Sequence, residues 1–519
     1  MIPAAIVCDN EHIASALPRT QSTVLSEHDN PHVSSTSLLS RLLTAPRRLQ
    51  AWLRANHRGH LARGQIWGAR AIIWVSAVGV GLAAVVFATL TEDATRLFTE
   101  NATAHPWLPF ILTPAAAVGL LWLTRRYFAG AEGSGIPQVI AEMERPHNLP
   151  WRPLISLRIA AGKLLLGVTA VGAGFSFGRE GPTVQIGACL MASIARFLPA
   201  GLQLNRRHLV VAGGAAGLAA AFNAPLAGII FAIEELSRGI ESRMSGIIIT
   251  AIVLSGVVAQ AWLGNRNYFG QVTVIGEASE IVESIIVCAI VTGLAGGLFA
   301  RMLLMSAGGW RGRVGDFKRD HPYRFAAACG LLIAAIGWAS GGLSWCGGYD
   351  ETRALLEGRD PLPWFFGPGK FIATVVSYMT GLPGGIFAPS LAIGAGLGQD
   401  LVPLLWQNAF PTTIIVLCMV GFLAAATQAP ITSFIIVMEM VDGYSLVIGM
   451  MATALIASGI SRAVSRPLYP TLAEMMIARQ RTTAAPPEPP SGPAPETPPD
   501  PPSDKALAAA PPGPASPTT

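Results

Sequence analysis

From about residue 71 to 465, one apolar run follows another, and polar residues are confined to short interruptions that often carry glycine or proline. Residues 71–90, AIIWVSAVGVGLAAVVFATL, predict a membrane-spanning helix. The stretch 91–106, with Glu92, Asp93 and Glu100, reads as an external connection, and 107–123 as a second span returning to Arg125 and Arg126. At ~20 residues per span, the region has room for more than ten helices. The pattern changes at both ends. Residues 1–40 are polar and lack the basic start and apolar stretch of a signal peptide. Residues 41–70 hold seven arginines and no acidic residue, a cytoplasmic signature. Residues 482–519 hold 14 of the 39 prolines and almost no large apolar side chain, as in a disordered tail. The expected division is a basic, largely disordered cytoplasmic segment at 1–70, membrane halves at 71–265 and 266–475, and a proline-rich cytoplasmic tail at 476–519.

Composition narrows the class. Hydrophobic residues make up 51% of the 519 and charged residues 13%, about half the ~25% charge of soluble domains. An all-α polytopic membrane protein in a lipid bilayer is expected. The net charge of +5 does not point to nucleic acid, because the arginines cluster beside spans. The six cysteines show no CxxC spacing, and the nine histidines lie outside the apolar cores or at their edges. No metal or other cofactor is expected. No nucleophile–base pair or ligand cluster suggests an enzyme.

The membrane region repeats itself. Gly162-Lys163 matches Gly369-Lys370 at an offset of 207, which also aligns Gly178 with Gly385, Pro182 with Pro389, and 186–188 with 393–395. At an offset of 205, residues 219–225 match 424–430, and Glu234 falls opposite Glu439. Each block reads as glycines, a proline, then an apolar segment too short to cross comfortably. Paired interrupted helices of this kind mark the binding site of transporters at the repeat interface, because irregular backbone at membrane depth must line a cavity or be buried in protein.

Within the first block, FGREGPTVQIGA (177–188) places Arg179 and Glu180 inside the apolar region. An ionisable group there is a functional candidate, and a structural Arg179–Glu180 ion pair is the alternative. A helix N-terminus offers unpaired N–H groups and about half a positive charge, so converging ends at 178–181 and 384–388 suit an anion. Ser134, in GSGIP (133–137), is either a helix cap or a third contact. Glu180, itself an anion, could occupy an ion's place, then become neutral on protonation and swing away. Glu234 and Glu235 close the apolar run 209–236, where solvated carboxylates are the alternative. Tyr444, near the end that carries Glu439, could equally anchor at the interface.

Taken together, GSGIP at 133–137, GREGP at 178–182 and GGIFAP at 384–389 resemble the CLC family of chloride channels and proton-coupled chloride exchangers, over roughly 70–475. The resemblance implies a homodimer in which each subunit is an inverted repeat of tilted, broken helices with its own anion pathway. It implies anion contacts from Ser134, Gly135 and Tyr444 and from the backbone at Ile386 and Phe387. Glu180 would be the external gate, Glu235 the internal proton-transfer glutamate that exchangers have, and Lys163 a source of positive potential. Ser134, where proline would favour nitrate, points to chloride, and Glu180 with Tyr444 argues against the fluoride-exporting branch. A bacterial-type chloride/proton antiporter of the inner membrane with both termini cytoplasmic is expected. The alternative is a passive voltage- or pH-gated chloride channel on the same scaffold.

Overall fold

The computed structural model describes residues 36–145, 153–198, 205–237, 246–264, 269, 281–310, 312–359, 361–405 and 410–484. The residues from Ile66 onward form one compact unit, which carries the candidate site.

Secondary structure among the described residues is helical, apart from two isolated β-bridges. The first half contains α1 (Thr36–Ala104), α2 (Leu108–Tyr127), α3 (Ile136–Met143), α4 (Leu157–Val171), α5 (Glu180–Ser193), α6 (Arg206–Phe222), α7 (Pro225–Phe231) and α8 (Gly246–Leu263). The second contains α9 (Val282–Gly308), a connecting α10 (Arg313–Asp320), α11 (Pro322–Ala339), α12 (Tyr349–Leu356), α13 (Phe366–Met379), α14 (Phe387–Leu405), α15 (Pro411–Thr427), α16 (Pro430–Val441) and α17 (Val447–Val464). A final helix, α18 (Leu468–Ala484), runs back to pack on α3. The order repeats: α3 to α8 correspond to α12 to α17.

Two expectations shift. Helix α1 begins at Thr36 and continues to Ala104, so the basic stretch from 41 is helical, and the acidic 91–104 extends the helix where an irregular connection was expected. Its apolar part, Trp67–Ala104, has 38 residues and is about 57 Å long, well beyond a ~30 Å hydrocarbon core; it must tilt or project. Helix α18 likewise occupies 476–484 of the segment expected to be disordered, and the rest of that tail lies outside the described residues.

Five described helices are long and apolar enough to cross a membrane. Others, such as the 8-residue α3 and α12 and the 14-residue α5, are too short and start inside the protein. On α9, Ile286, Ile290, Leu294 and Leu298 point outward at four-residue spacing, the lipid-facing stripe of a membrane helix. The inward faces use small residues: a Cβ on Gly394 of α14 would lie 2.7 Å from Cys418 O of α15, so the glycine allows the two backbones to touch.

The same sequence device ends α6 and α15. Asn223 and Gln428 take the left-handed conformation, at φ 55° and 59°, and an Ala-Pro pair then starts α7 and α16. An amide residue tolerates that turn, and proline is preorganised for the first helical position. The glutamates near the ends of these short segments are not simply solvated. Glu234 accepts from the Ile431 and Thr432 amides (3.1 and 2.6 Å) at the start of α16, and Glu439 accepts from Leu226 and Ala227 (3.2 and 2.7 Å) at the start of α7.

Candidate functional site

Main-chain hydrogen bonds join the three glycine motifs at the centre of the molecule. Gly178 N donates to Gly385 O and Gly385 N to Gly178 O, both at 2.8 Å. Gly133 N donates to Leu382 O (3.2 Å), and Gly384 N donates back to Gly133 O (3.0 Å). Gly178 and Gly385 are the aligned positions of the two halves, so a local two-fold axis passes between them. Helices α5 and α14 begin just beyond, and α3 begins after Gly135. Gly135 sits at φ 106°, and a Cβ there would lie 2.8 Å from Gly181 O; only glycine combines that backbone with that approach. Three helix N-termini thus meet, each presenting unpaired N–H groups.

Glu180 is the first residue of α5 and fully buried. Its carboxylate lies over Gly178, beside the first turn of α14: a Cβ on Gly178 would meet Glu180 Oε2 and stand 3.2 Å from Ala388 N. Arg179 turns to α1, where it meets Glu92 Oε1 at 2.7 Å and Ala88 O at 3.0 Å. Glu180 accepts from the hydroxyl of Tyr349. Arg179 thus has an ionic partner on α1 while Glu180 takes a hydroxyl from α12, as successive residues of a helix face different ways.

Ser134 lies against Gly181 of α5, its Oγ buried. Tyr469, in the first turn of α18, brings its hydroxyl close to Ser134. Among the described residues neither hydroxyl has a well-formed hydrogen-bond partner, although an orphaned buried donor is costly. The Tyr469 ring stacks on Phe387 at 6.1 Å, and Phe387 meets Phe222 edge-on at 5.7 Å. Ile386 and Phe387 are buried at the start of α14. Two hydroxyl donors, helix ends and aromatic walls thus enclose one spot suited to a small anion.

Tyr444 is not at this spot. It lies in a short 3₁₀ turn before α17 and is 62% exposed, whereas Tyr469 is 1% exposed. Asp442, left-handed at φ 54°, ends α16 and sends the chain outward there. Sequence reasoning chose the tyrosine beside the repeat block and passed over the one beyond the last span. Tyr469, between Pro467 and Pro470, falls inside the expected second half, 266–475, but on α18, beyond the helices that correspond between the halves, and its return onto α3 brings it inward.

Lys163 is fully buried on α4, and its Nζ donates to Ala131 O (2.9 Å) and Gly133 O (2.7 Å). It pins the loop that carries Ser134, one shell behind the convergence point. Glu235 is also buried, in a π-helical turn (Ala232–Leu236) that extends α7; such turns recur at functional sites. Its carboxylate is near enough for its charge to act on the Tyr469 hydroxyl. The charges of Glu180 and Glu235 both act on the Tyr469 hydroxyl, and both carboxylates are buried. Arg238, which follows that turn, lies outside the described residues.

Comparison with known proteins identifies the family and the fold. The family model described as "Voltage gated chloride channel" matches residues 116–462. The chain is 31% identical over 447 residues to the H(+)/Cl(-) exchange transporter ClcA of Cronobacter sakazakii, covering 79% of this chain and 90% of that one. It is 30% identical over 397 residues to ClcA of Salmonella paratyphi A, covering 72% and 80%. Among solved structures, a slow cyanobacterial Cl-/H+ antiporter aligns with a TM-score of 0.69 at 23% identity, over 80% of this chain and 99% of that one. A CLC-type fluoride/proton antiporter aligns with a TM-score of 0.65 at 20% identity, over 78% and 98%. The all-α architecture is therefore the CLC fold, and the chain belongs to the voltage-gated chloride channel family.

Proposed function

We propose that this protein exchanges chloride for protons across the membrane by secondary active transport. The observation that carries the reading is the pair of buried carboxylates, Glu180 and Glu235, whose charges both reach the Tyr469 hydroxyl beside Ser134. Chloride enters where helix N-termini and the two hydroxyls replace its hydration shell, with the amides at Gly135, Ile386 and Phe387 contributing. Weak, multidentate binding of this kind also lets the ion leave. The ionised Glu180 competes for the same helix ends. On taking a proton from outside it becomes neutral and yields its place to chloride. Glu235 relays that proton to the inner face, and Lys163 supports the site by holding the Ser134 loop.

The bacterial relatives named as exchangers support exchange, and the same reading places the protein in an inner membrane with both termini cytoplasmic, as a homodimer. Exposed Leu226, Ile233 and Ile431 around the crossed glutamates suit an apolar contact with a second subunit. A passive channel is the rival reading, and it has no use for a buried carboxylate at 235. Purified protein in liposomes under an outward chloride gradient, with external pH recorded, separates the two. Exchange drives protons inward against their own gradient; a channel moves chloride without them.

A further inference from the structure

The residue that hydrogen-bonds Glu180 comes from the second half of the repeat. Lys163 on α4 grips the carbonyls of residues 131 and 133, just ahead of α3. Its counterpart Lys370 on α13 grips Trp345 O (2.6 Å) and Cys346 O (3.0 Å), just ahead of α12. Helix α12 is thus the counterpart of α3. Where the α3 loop brings the Ser134 hydroxyl to the site, the α12 end brings the hydroxyl of Tyr349, its first residue.

The local backbone is shaped for this. Gly348 sits at φ 81°, and a Cβ on Gly347 would lie 2.6 Å from the Tyr349 ring. The half-buried ring is held from its other side by Arg179, whose guanidinium lies 5.2 Å from the ring centroid. Arg179 is itself fixed to α1 through Ala88 O and Glu92. Glu92 is 61% exposed and Glu180 fully buried, so the series Glu92, Arg179, Tyr349, Glu180 leads from water to the gate.

We propose that Tyr349 is the outer latch of the gate, a positioning residue whose hydroxyl holds the ionised Glu180 in its seated place and slows its release. The proposal rests on the exchange reading above. A hydrogen bond to an ionised carboxylate is roughly twice as strong as one between neutral groups, so protonation of Glu180 loosens the latch at the step when the gate must move. Among the described residues, other charged or titratable groups near the gate are Arg179 with Glu92 of α1, Tyr469 of α18, Lys370 of α13, and Asp350 and Glu351 of α12.

The test compares wild type, Tyr349→Phe, Glu180→Ala and the double variant in liposomes, recording chloride efflux and proton uptake together. Phenylalanine keeps the ring over which Arg179 lies and removes only the latch. We expect Tyr349→Phe to raise both fluxes roughly tenfold, as loss of a hydrogen bond to a charged group allows, with their ratio unchanged. In the Glu180→Ala background the same substitution should leave chloride flux as it was, which also shows that the double variant folds. Equal acceleration in both backgrounds means that Tyr349 merely narrows the path, and overturns the latch. A wild type that exchanges, with Tyr349→Phe no faster, overturns the latch alone. A wild type that moves chloride without protons overturns the exchange reading instead, and the latch with it.

Discussion

Glu234 and Glu439 each cap the helix that begins in the other half of the repeat: Glu234 accepts from the first amides of α16 and Glu439 from the first amides of α7. A carboxylate at a helix N-terminus satisfies donors that the helix cannot satisfy itself and sits favourably in its dipole. Here the exchange ties the two halves at their short, broken segments. It also fixes the end of α7, from which the next residue, Glu235, turns into the protein.

Removing one of these caps should lower stability without touching the anion site. Glu439→Ala leaves the Leu226 and Ala227 amides half-buried without their acceptor, a loss of about 1–2 kcal/mol on the scale of N-cap substitutions. Thermal unfolding in detergent should show a lower midpoint, with chloride affinity unchanged. The two carboxylates accept from different amides, so Glu234→Ala and Glu439→Ala together should cost close to the sum. A double variant no less stable than either single one would show that the caps are not separate supports.

The two tyrosines give a direct contrast. Tyr469→Phe deletes a hydroxyl that faces Ser134 inside the protein, and Ser134→Ala deletes its neighbour. Each should weaken chloride binding roughly tenfold in isothermal titration, the scale of one hydrogen bond to a charged group. Tyr444→Phe changes a side chain exposed at the start of α17 and should leave the titration as it is. Loss of affinity in Tyr444→Phe with none in Tyr469→Phe would reverse the assignment.

Much of the site was legible because glycine and proline act locally. Gly178, Gly385, Pro182 and Pro389 announce broken helices at matching positions, and the structure joins the first two by paired hydrogen bonds. The buried Glu180 stood out as a charge in an apolar region, whereas Glu235, at the end of an apolar run, was marked out only by the family resemblance. Tyr469 and Tyr349 did not stand out, for different reasons. Tyr469 lies beyond the helices that correspond between the halves and reaches the site only by the fold-back of α18. Tyr349 lies in SWCGGYDETRALL, a stretch too polar to read as membrane-embedded. The available signal was that a glycine pair precedes Lys370 as GSGIP precedes Lys163, but at a shorter spacing that the 207 offset does not align. Lys163 carried a second meaning invisible in one dimension: its charge is spent on loop carbonyls.

That placement makes a prediction about Lys163. Lys163→Met keeps the length and burial of the side chain but leaves the Ala131 and Gly133 carbonyls facing a thioether. An unsatisfied buried acceptor costs ~1–3 kcal/mol, and the loop carrying Ser134 loses its anchor. The variant should unfold at lower temperature and also bind chloride more weakly. A variant that is weaker in binding yet as stable as wild type would mean that Lys163 acts through its field and not through the loop.

The carboxylates carry the division of labour between anion and proton, and glutamine separates their parts. Glu235→Gln keeps the shape of the π-helical turn and removes only the titrating group. Chloride should still cross the liposome membrane, while proton uptake falls to the background leak. Glu180→Gln imitates the protonated gate: chloride should cross with no dependence on external pH, again without protons. The two variants should therefore look alike in proton movement and differ in chloride flux against pH, because Glu235→Gln retains a gate that acid can open. Full coupling in Glu235→Gln would remove the inner relay from the scheme. A pH-dependent, coupled Glu180→Gln would place the outer proton acceptor elsewhere.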